Sequence, residues 1–68
     1  MSGRRHDQAI HSVGELRDPQ PGDARYGSQA EAETAARSES FPGRVLGIWR
    51  DENGELVAIA YDGMVFWP

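Results

Sequence analysis

Residues 44–68 read RVLGIWRDENGELVAIAYDGMVFWP, and this stretch decides the fold. Valine, isoleucine and aromatic residues dominate it, as they do in β-strands. The dipeptides Asn-Gly at 53–54 and Asp-Gly at 62–63 can adopt the positive φ that tight hairpin turns need. The pattern therefore predicts a three-stranded antiparallel meander with residues 55–61 as its central strand.

A helix is predicted immediately before the meander. Ser28 and Glu31 have the spacing of a capping box, in which the serine oxygen accepts the Glu31 N–H and the glutamate reaches back to Ser28. Alanine, the strongest helix former, recurs at positions 30, 32, 35 and 36. Glu33 and Arg37 form an i,i+4 pair in the favourable order. These features predict a helix over 28–39 that presents only alanine to the sheet.

The chain before the helix is predicted to be a flexible or disordered segment, residues 1–25, followed by a small α+β domain, residues 26–68. Residues 18–23, Asp-Pro-Gln-Pro-Gly-Asp, have the composition of turns and linkers. Two alternatives stay open in this region, a short strand at 24–26 and a short helix within 7–17. The predicted fold class is α+β, with one α-helix packed on a three-stranded β-meander (αβββ), or βαβββ if the short strand forms.

The register of the meander decides which side chains share a face. Pairing Arg50 with Glu55 and Tyr61 with Met64 places two apolar sets on opposite faces. One set consists of Leu46, Ile48, Val57, Ile59, Tyr61, Met64 and Phe66. The other consists of Val45, Gly47, Trp49, Leu56, Ala58, Ala60, Val65 and Trp67.

A single helix covers only one of these two faces. The other is predicted to meet the N-terminal segment, a second copy or another protein, because both faces are apolar. We expect the helix on the face with the large aliphatic side chains and a partner on the face with the tryptophans, since tryptophan is enriched where binding energy is concentrated. The alternative is that the alanine helix settles on the flatter face, around Gly47, Ala58 and Ala60.

The chain is acidic, with a net charge of −4, and its cations are all arginine. In residues 28–68, three arginines oppose seven carboxylates (3 − 7 = −4), so this part carries the whole negative net charge of the chain. Nucleic acids require clustered positive charge, so direct nucleic-acid binding by this half is disfavoured and a basic surface on a partner protein is favoured. The sequence has neither a run of about 18 apolar residues nor a secretory signal, which predicts a cytoplasmic protein without a membrane span.

The sequence lacks the residue sets that are typical of catalysis or of a cofactor site. Cysteine and lysine are absent. His6, Asp7 and His11 are interpreted as solvated polar residues rather than metal ligands, because the spacing of five between the histidines fits no helical pair or compact loop. Turn chemistry explains the carboxylates of the two turns. We therefore predict no enzyme activity, no cofactor and no metal.

In size, acidity and general character, the chain is similar to the tiny acidic proteins that phages and mobile elements use against host defences, such as anti-CRISPR proteins. That resemblance implies an inhibitor that docks on a larger complex, in the host cytoplasm if the chain is phage-encoded, and it carries over no functional residue. The predicted function is thus a non-enzymatic inhibitor or adaptor, whose carboxylates are suited to mimic nucleic-acid charge. The predicted partner-binding residues are Trp49, Trp67, Leu56, Val65, Glu31, Glu33, Asp51 and Glu52.

Two other functions stay open. A homo-oligomeric structural or regulatory subunit would use the same apolar face for self-association. An antitoxin-like nucleic-acid-binding protein would instead use Arg4 and Arg5 in the N-terminal segment.

Overall fold

The computed structural model describes residues 11–68, which form five strands and one helix. In chain order these are β1 (His11–Glu15), β2 (Ala24–Tyr26), α1 (Gln29–Glu39), β3 (Leu46–Arg50), β4 (Glu55–Tyr61) and β5 (Met64–Phe66). The predicted α+β class with one helix is confirmed for this part of the chain. No helix within it has the length and apolar character needed to cross a membrane.

All strands pair antiparallel in one sheet, in the order β2-β1-β3-β4-β5. The predicted meander corresponds to β3, β4 and β5, and it matches only roughly because these are three strands of a five-stranded sheet. The strand considered as an alternative at 24–26 is present as the edge strand β2.

The interior strand β1, which lies between β2 and β3 in the sheet, falls in the segment that the sequence predicts to be flexible. Its only large apolar side chain is that of Val13, and Gly14 weakens its intrinsic strand propensity. The strand forms because β2 and β3 pair with it on both sides. The alternative helix within 7–17 is therefore wrong for residues 11–15. The first part of that alternative helix lies outside the described residues. So do residues 1–10 of the predicted flexible segment.

The helix α1 begins where the capping box predicts. Ser28 is the N-cap, and its hydroxyl oxygen accepts the N–H of Glu31 at 3.2 Å. Ala32 and Ala36 point at the sheet and are fully buried. Because their side chains are so small, the helix lies close to the strands beneath it.

Ser40 fastens the C-terminal end of α1 to the sheet. Its backbone N–H donates to the Ala36 carbonyl at 2.9 Å, and its hydroxyl oxygen accepts the N–H of Gly63 at 2.9 Å. Gly63 belongs to the β4–β5 turn, where Asp62 and Gly63 have φ angles of 52° and 75°. Two successive positive φ angles are typical of a type I′ turn, the tight hairpin connection that the Asp-Gly dipeptide favours.

A β-bulge in β4 decides which side chains face the helix. Both residue pairs used to predict the register are present, but the β3–β4 register shifts between them. Trp49 pairs with Leu56. The next pair is Ile48 with Ala58, so Val57 is the extra residue on β4. The shift puts the large aliphatic side chains of β3 on the same face as the alanines of β4, and the predicted composition of the two faces is wrong in this respect.

The core lies between α1 and the face of the sheet that we call the inner face. Its buried side chains are Val13, Ala32, Ala36, Leu46, Ile48, Ala58 and Ala60, with Tyr26, Val57 and Val65 packed against them. Leu46 and Ile48 are the largest fully buried side chains, and each contributes about 1.5–3 kcal/mol by leaving water. The helix therefore covers large residues of β3 together with small residues of β4. The two predicted placements put these two groups on opposite faces, so neither matches the structure.

Candidate interaction surface

Six apolar side chains lie on the other side of the sheet, which we call the outer face. Because Ala60 and Val65 pack toward the core, the β4–β5 pairs on either side of them point away from it. The Trp49–Leu56 pair points the same way, since Ile48 before it is buried under the helix. We call this set the outer patch: Trp49, Leu56, Ile59, Tyr61, Met64 and Phe66.

The outer patch is most open to solvent at β5. Tyr61, Met64 and Phe66 keep 40%, 56% and 47% of their surface exposed. The helix of residues 11–68 lies on the inner face and does not cover them. Monomeric soluble proteins rarely expose a contiguous apolar patch without a use for it. The outer patch is therefore the strongest candidate for a contact surface.

Trp49 bounds the outer patch on the β3 side. A Cβ atom added at Gly47 would come within 2.6 Å of Trp49 Cη2 and within 3.1 Å of Leu16 Cδ1. The indole therefore lies over the backbone of Gly47, a position that any side chain at residue 47 would block. Trp49 is half-buried by its own chain and is held in place before any partner arrives.

Beyond Trp49, over β1 and β2, the outer face is polar. Asp51 accepts a hydrogen bond from Ser12 Oγ at 2.8 Å and another from Arg25 Nε at 3.0 Å. These bonds, that of Ser12 first, lower the pKa of Asp51 below its ordinary value of 3.8. The Asp51 carboxylate thus stays charged at neutral pH and ties the β3–β4 turn to β1 and β2.

The structure separates the four apolar residues predicted to bind a partner. Trp49 and Leu56 lie together on the outer face, where both are half-buried. Val65 packs against the core on the inner face. Trp67 is 56% exposed, and its Nε1–H donates to Oε2 of Glu33 on the helix at 2.9 Å. The prediction that the four share one face is wrong, because the bulge in β4 reverses β4 and β5 relative to β3.

The four predicted acidic contacts lie in separate places. Glu31 is exposed in the first turn of α1. Glu33, two residues further on and half-buried, accepts the hydrogen bond of Trp67. Asp51 belongs to the polar network of the outer face, and Glu52 is exposed beside it in the turn. Their part in binding stays a prediction.

Sequence reasoning did not include four residues of the outer patch among the binding residues: Ile59 and the three most exposed members, Tyr61, Met64 and Phe66. An unbroken β3–β4 register places them under the helix, and the bulge moves them to the outer face. One signal in the sequence does favour the observed arrangement. The alanine side of α1 fits most closely against Ala58 and Ala60, which have the smallest side chains of β4.

No family model, curated protein or solved structure matches this chain. Its function is therefore inferred from the outer patch and the charges around it. The described residues contain five arginines and ten carboxylates, a balance of 5 − 10 = −5. Glu52 and Asp62 are exposed in the turns at the two ends of β4, so that carboxylates border the outer patch at both ends.

His11 differs from its interpretation as a solvated residue. It begins β1 and is only 4% exposed. The two residues grouped with it, His6 and Asp7, lie outside the described residues. Within residues 11–68, no three His, Cys, Asp or Glu side chains are placed to hold a metal ion.

Proposed function

We propose that this chain is a non-enzymatic protein-binding module, an inhibitor or adaptor that docks on a larger partner through the outer patch. The observation that carries the proposal is the exposure of Tyr61, Met64 and Phe66 side by side on a sheet face that the helix of residues 11–68 does not cover. Aromatic residues and methionine are enriched at protein interfaces. Docking would remove from water the apolar surface that residues 11–68 leave exposed.

Trp49 supports the proposal by its rigidity. Its indole already lies over Gly47, so binding does not have to order it. A side chain held in its bound position loses little conformational entropy on association. Trp49 is suited to anchor one side of the interface, while the exposed residues of β5 supply the other side.

The charge distribution indicates what kind of surface the partner presents. Carboxylates of Glu52 and Asp62 border the outer patch, and the described part of the chain has a charge of −5. The complementary surface is apolar and flanked by lysine or arginine. Proteins that bind nucleic acids have basic surfaces, and blocking one of them in the cytoplasm is the counter-defence role that the resemblance to small acidic phage proteins implies.

The state of Asp51 supports binding rather than acid–base chemistry. Its hydrogen bonds to Ser12 and Arg25 hold its pKa below the ordinary value, so it does not retain a proton near neutral pH. A general acid needs a pKa raised toward the working pH. Asp51 instead fixes the β3–β4 turn beside the outer patch.

A capture experiment with a matched control tests the proposal. Tagged wild-type chain, the double variant Met64→Ser/Phe66→Ser and the variant Phe41→Ser are each incubated with lysate of the source cells, and bound proteins are quantified by mass spectrometry. Phe41 is the control because it is 54% exposed in the turn between α1 and β3 and is not a residue of the outer patch. Circular dichroism establishes that each variant is folded.

The expected result is a protein that wild type and Phe41→Ser retain and the double variant loses. Its retention falls as salt rises, because charges contribute to the contact. Equal retention by all three chains, or equal loss in both variants, contradicts docking through the outer patch.

A further inference from the structure

The two edges of the sheet are protected to different degrees. The β2 edge is preceded by Pro19 and Pro21, and the guanidinium of Arg25 on that edge binds Asp51. Prolines and charged side chains are the means by which proteins block edge-to-edge pairing. The β5 edge has Asp62 before it and Pro68 after it, but residues 63–67 themselves include no charge and no proline. Within residues 11–68 no further strand pairs with this edge, so it is open to one.

The hairpin geometry directs the backbone groups of Val65 toward that open side. The type I′ turn is closed by the Tyr61–Met64 pair, which in a two-residue hairpin exchanges hydrogen bonds. The next pair, Ala60–Val65, is then of the non-hydrogen-bonded kind. The N–H and C=O of Val65 therefore point away from β4.

We propose that β5 pairs with β5 of a second copy of this chain, antiparallel about a two-fold axis at Val65. Val65 then exchanges two N–H···O bonds with Val65 of the second copy. Met64 lies opposite Phe66 of the second copy on the outer face, where sulfur–aromatic contact is favourable. Trp67 lies opposite Gly63 of the second copy, and a Cβ at Gly63 would meet nothing within 4 Å, so the indole has room there. The strand is thus complementary to itself, which is why the occupant is a second copy.

Charge and contact area set the strength of this pairing. No like charges oppose each other along residues 63–67, but each described chain carries −5 overall. A pair of three-residue strands buries less than the roughly 1,000 Å² of a stable interface. The dimer is therefore weak and concentration-dependent, and salt strengthens it by screening the repulsion. This dependence on salt is opposite to that of the proposed partner complex.

The pairing goes beyond the proposed function and does not rest on it. The outer patch presents side chains on one face of the sheet, whereas the pairing is made by the backbone of its edge, and Met64 and Phe66 are the side chains that both contacts share. In the dimer the two outer patches lie on the same side of one continuous sheet, because the two-fold axis is perpendicular to it.

Sedimentation velocity and amide exchange test the pairing together. The sedimentation coefficient of the full chain is measured from micromolar to millimolar concentration, and the exchange rate of the Val65 amide is followed by NMR over the same range. We expect the sedimentation coefficient to rise with concentration and Val65 exchange to slow in parallel. A chain synthesised with N-methylvaline at position 65 keeps the side chain and loses the edge donor, so its dimerisation weakens by at least about tenfold. The matched control carries N-methylglycine at Gly22, which is exposed in the loop before the opposite edge, and dimerises like wild type.

A sedimentation coefficient that stays monomeric at every concentration overturns the pairing. A dimer that still forms when Val65 is N-methylated in a folded chain also overturns it. The same holds for a dimer that leaves the exchange rate of the Val65 amide unchanged, because either result places the contact elsewhere. The capture experiment is read at low concentration, where the chain is monomeric, so its failure and the failure of the pairing are independent.

Discussion

Ile48 of β3 lies opposite Ala58 of β4, one residue beyond the position that counting from the β3–β4 turn gives. This single displacement puts Ala58 and Ala60 beneath the helix, beside Ile48 and Leu46. Because side chains alternate along a strand, it also sends Ile59 and its partner Phe66 to the outer face. The bulge at Val57 thus decides which apolar side chains form the core and which remain for a partner.

Packing of the helix against the sheet leaves no space beside Ala36. We expect Ala36→Leu to destabilise the fold by about 1–3 kcal/mol, because the larger side chain cannot enter the contact without moving the helix. Ala30→Leu, at an exposed position of the same helix, should change stability by no more than about 0.5 kcal/mol. Urea denaturation measures both. Equal effects of the two substitutions contradict the observed helix orientation.

The position of Trp49 over Gly47 predicts the outcome of Gly47→Ala. A methyl group at this position would lie 2.6 Å from the indole, so the ring must leave the sheet or the strands must shift. We expect a loss of about 1–3 kcal/mol and a red-shifted tryptophan emission, as the indole becomes more exposed. Gly22→Ala is the control, because a Cβ there meets nothing within 4 Å. Unchanged emission in Gly47→Ala would show that the ring lies elsewhere.

The hydrogen bonds to Asp51 predict a dependence of stability on pH. Its pKa is lowered in the folded chain, so these bonds stabilise the fold above the ordinary value of 3.8, and the stabilisation is lost as the pH falls through the lower folded value. In Ser12→Ala the carboxylate loses its main donor, and its pKa should rise toward 3.8. An NMR titration of the Asp51 carboxyl in both chains measures the change. The same pKa in both would remove Ser12 as the cause.

The hydrogen bond between Trp67 and Glu33 predicts a smaller effect. Glu33→Ala removes the acceptor that holds the indole against α1, and we expect a loss of about 0.5–1.5 kcal/mol, because the contact is open to solvent. Glu31→Ala, on the exposed side of the same turn, is the control. Thermal unfolding compares them. A larger loss in the control would assign the stabilising role to the first turn rather than to the Trp67 contact.

Local chemistry in the sequence was sufficient to predict α1 and the β4–β5 turn. Ser28 acts on Glu31 through a hydrogen bond between residues three apart, and the Asp-Gly dipeptide favours its turn without help from the rest of the chain. Such features require no knowledge of tertiary structure. These local features were enough to predict the α+β class, the start of α1 and the turn between β4 and β5.

Strand β1 could not be predicted in this way, because its stability comes from neighbours distant in sequence. Gly14 weakens the strand locally, but it leaves room on the outer face for the carboxylate of Asp23, which accepts the N–H of Gln20 at 3.0 Å and shapes the β1–β2 loop. The bulge at Val57 likewise depends on contacts with residues distant in sequence. Regular and bulged pairing of β3 with β4 are both compatible with the β3–β4 turn. The close fit of α1 on Ala58 and Ala60 favours the bulged pairing.

Hydroxyl-radical footprinting tests the central claim, that the outer patch is the docking surface, most directly. Oxidation of the chain is compared with and without the captured partner, with Phe41, an exposed residue outside the outer patch, as internal reference. We expect Tyr61, Met64 and Phe66 to be oxidised readily in the free chain and to become protected in the complex, whereas Phe41 does not change. Protection confined to other surfaces, with these three side chains oxidised as before, would contradict it.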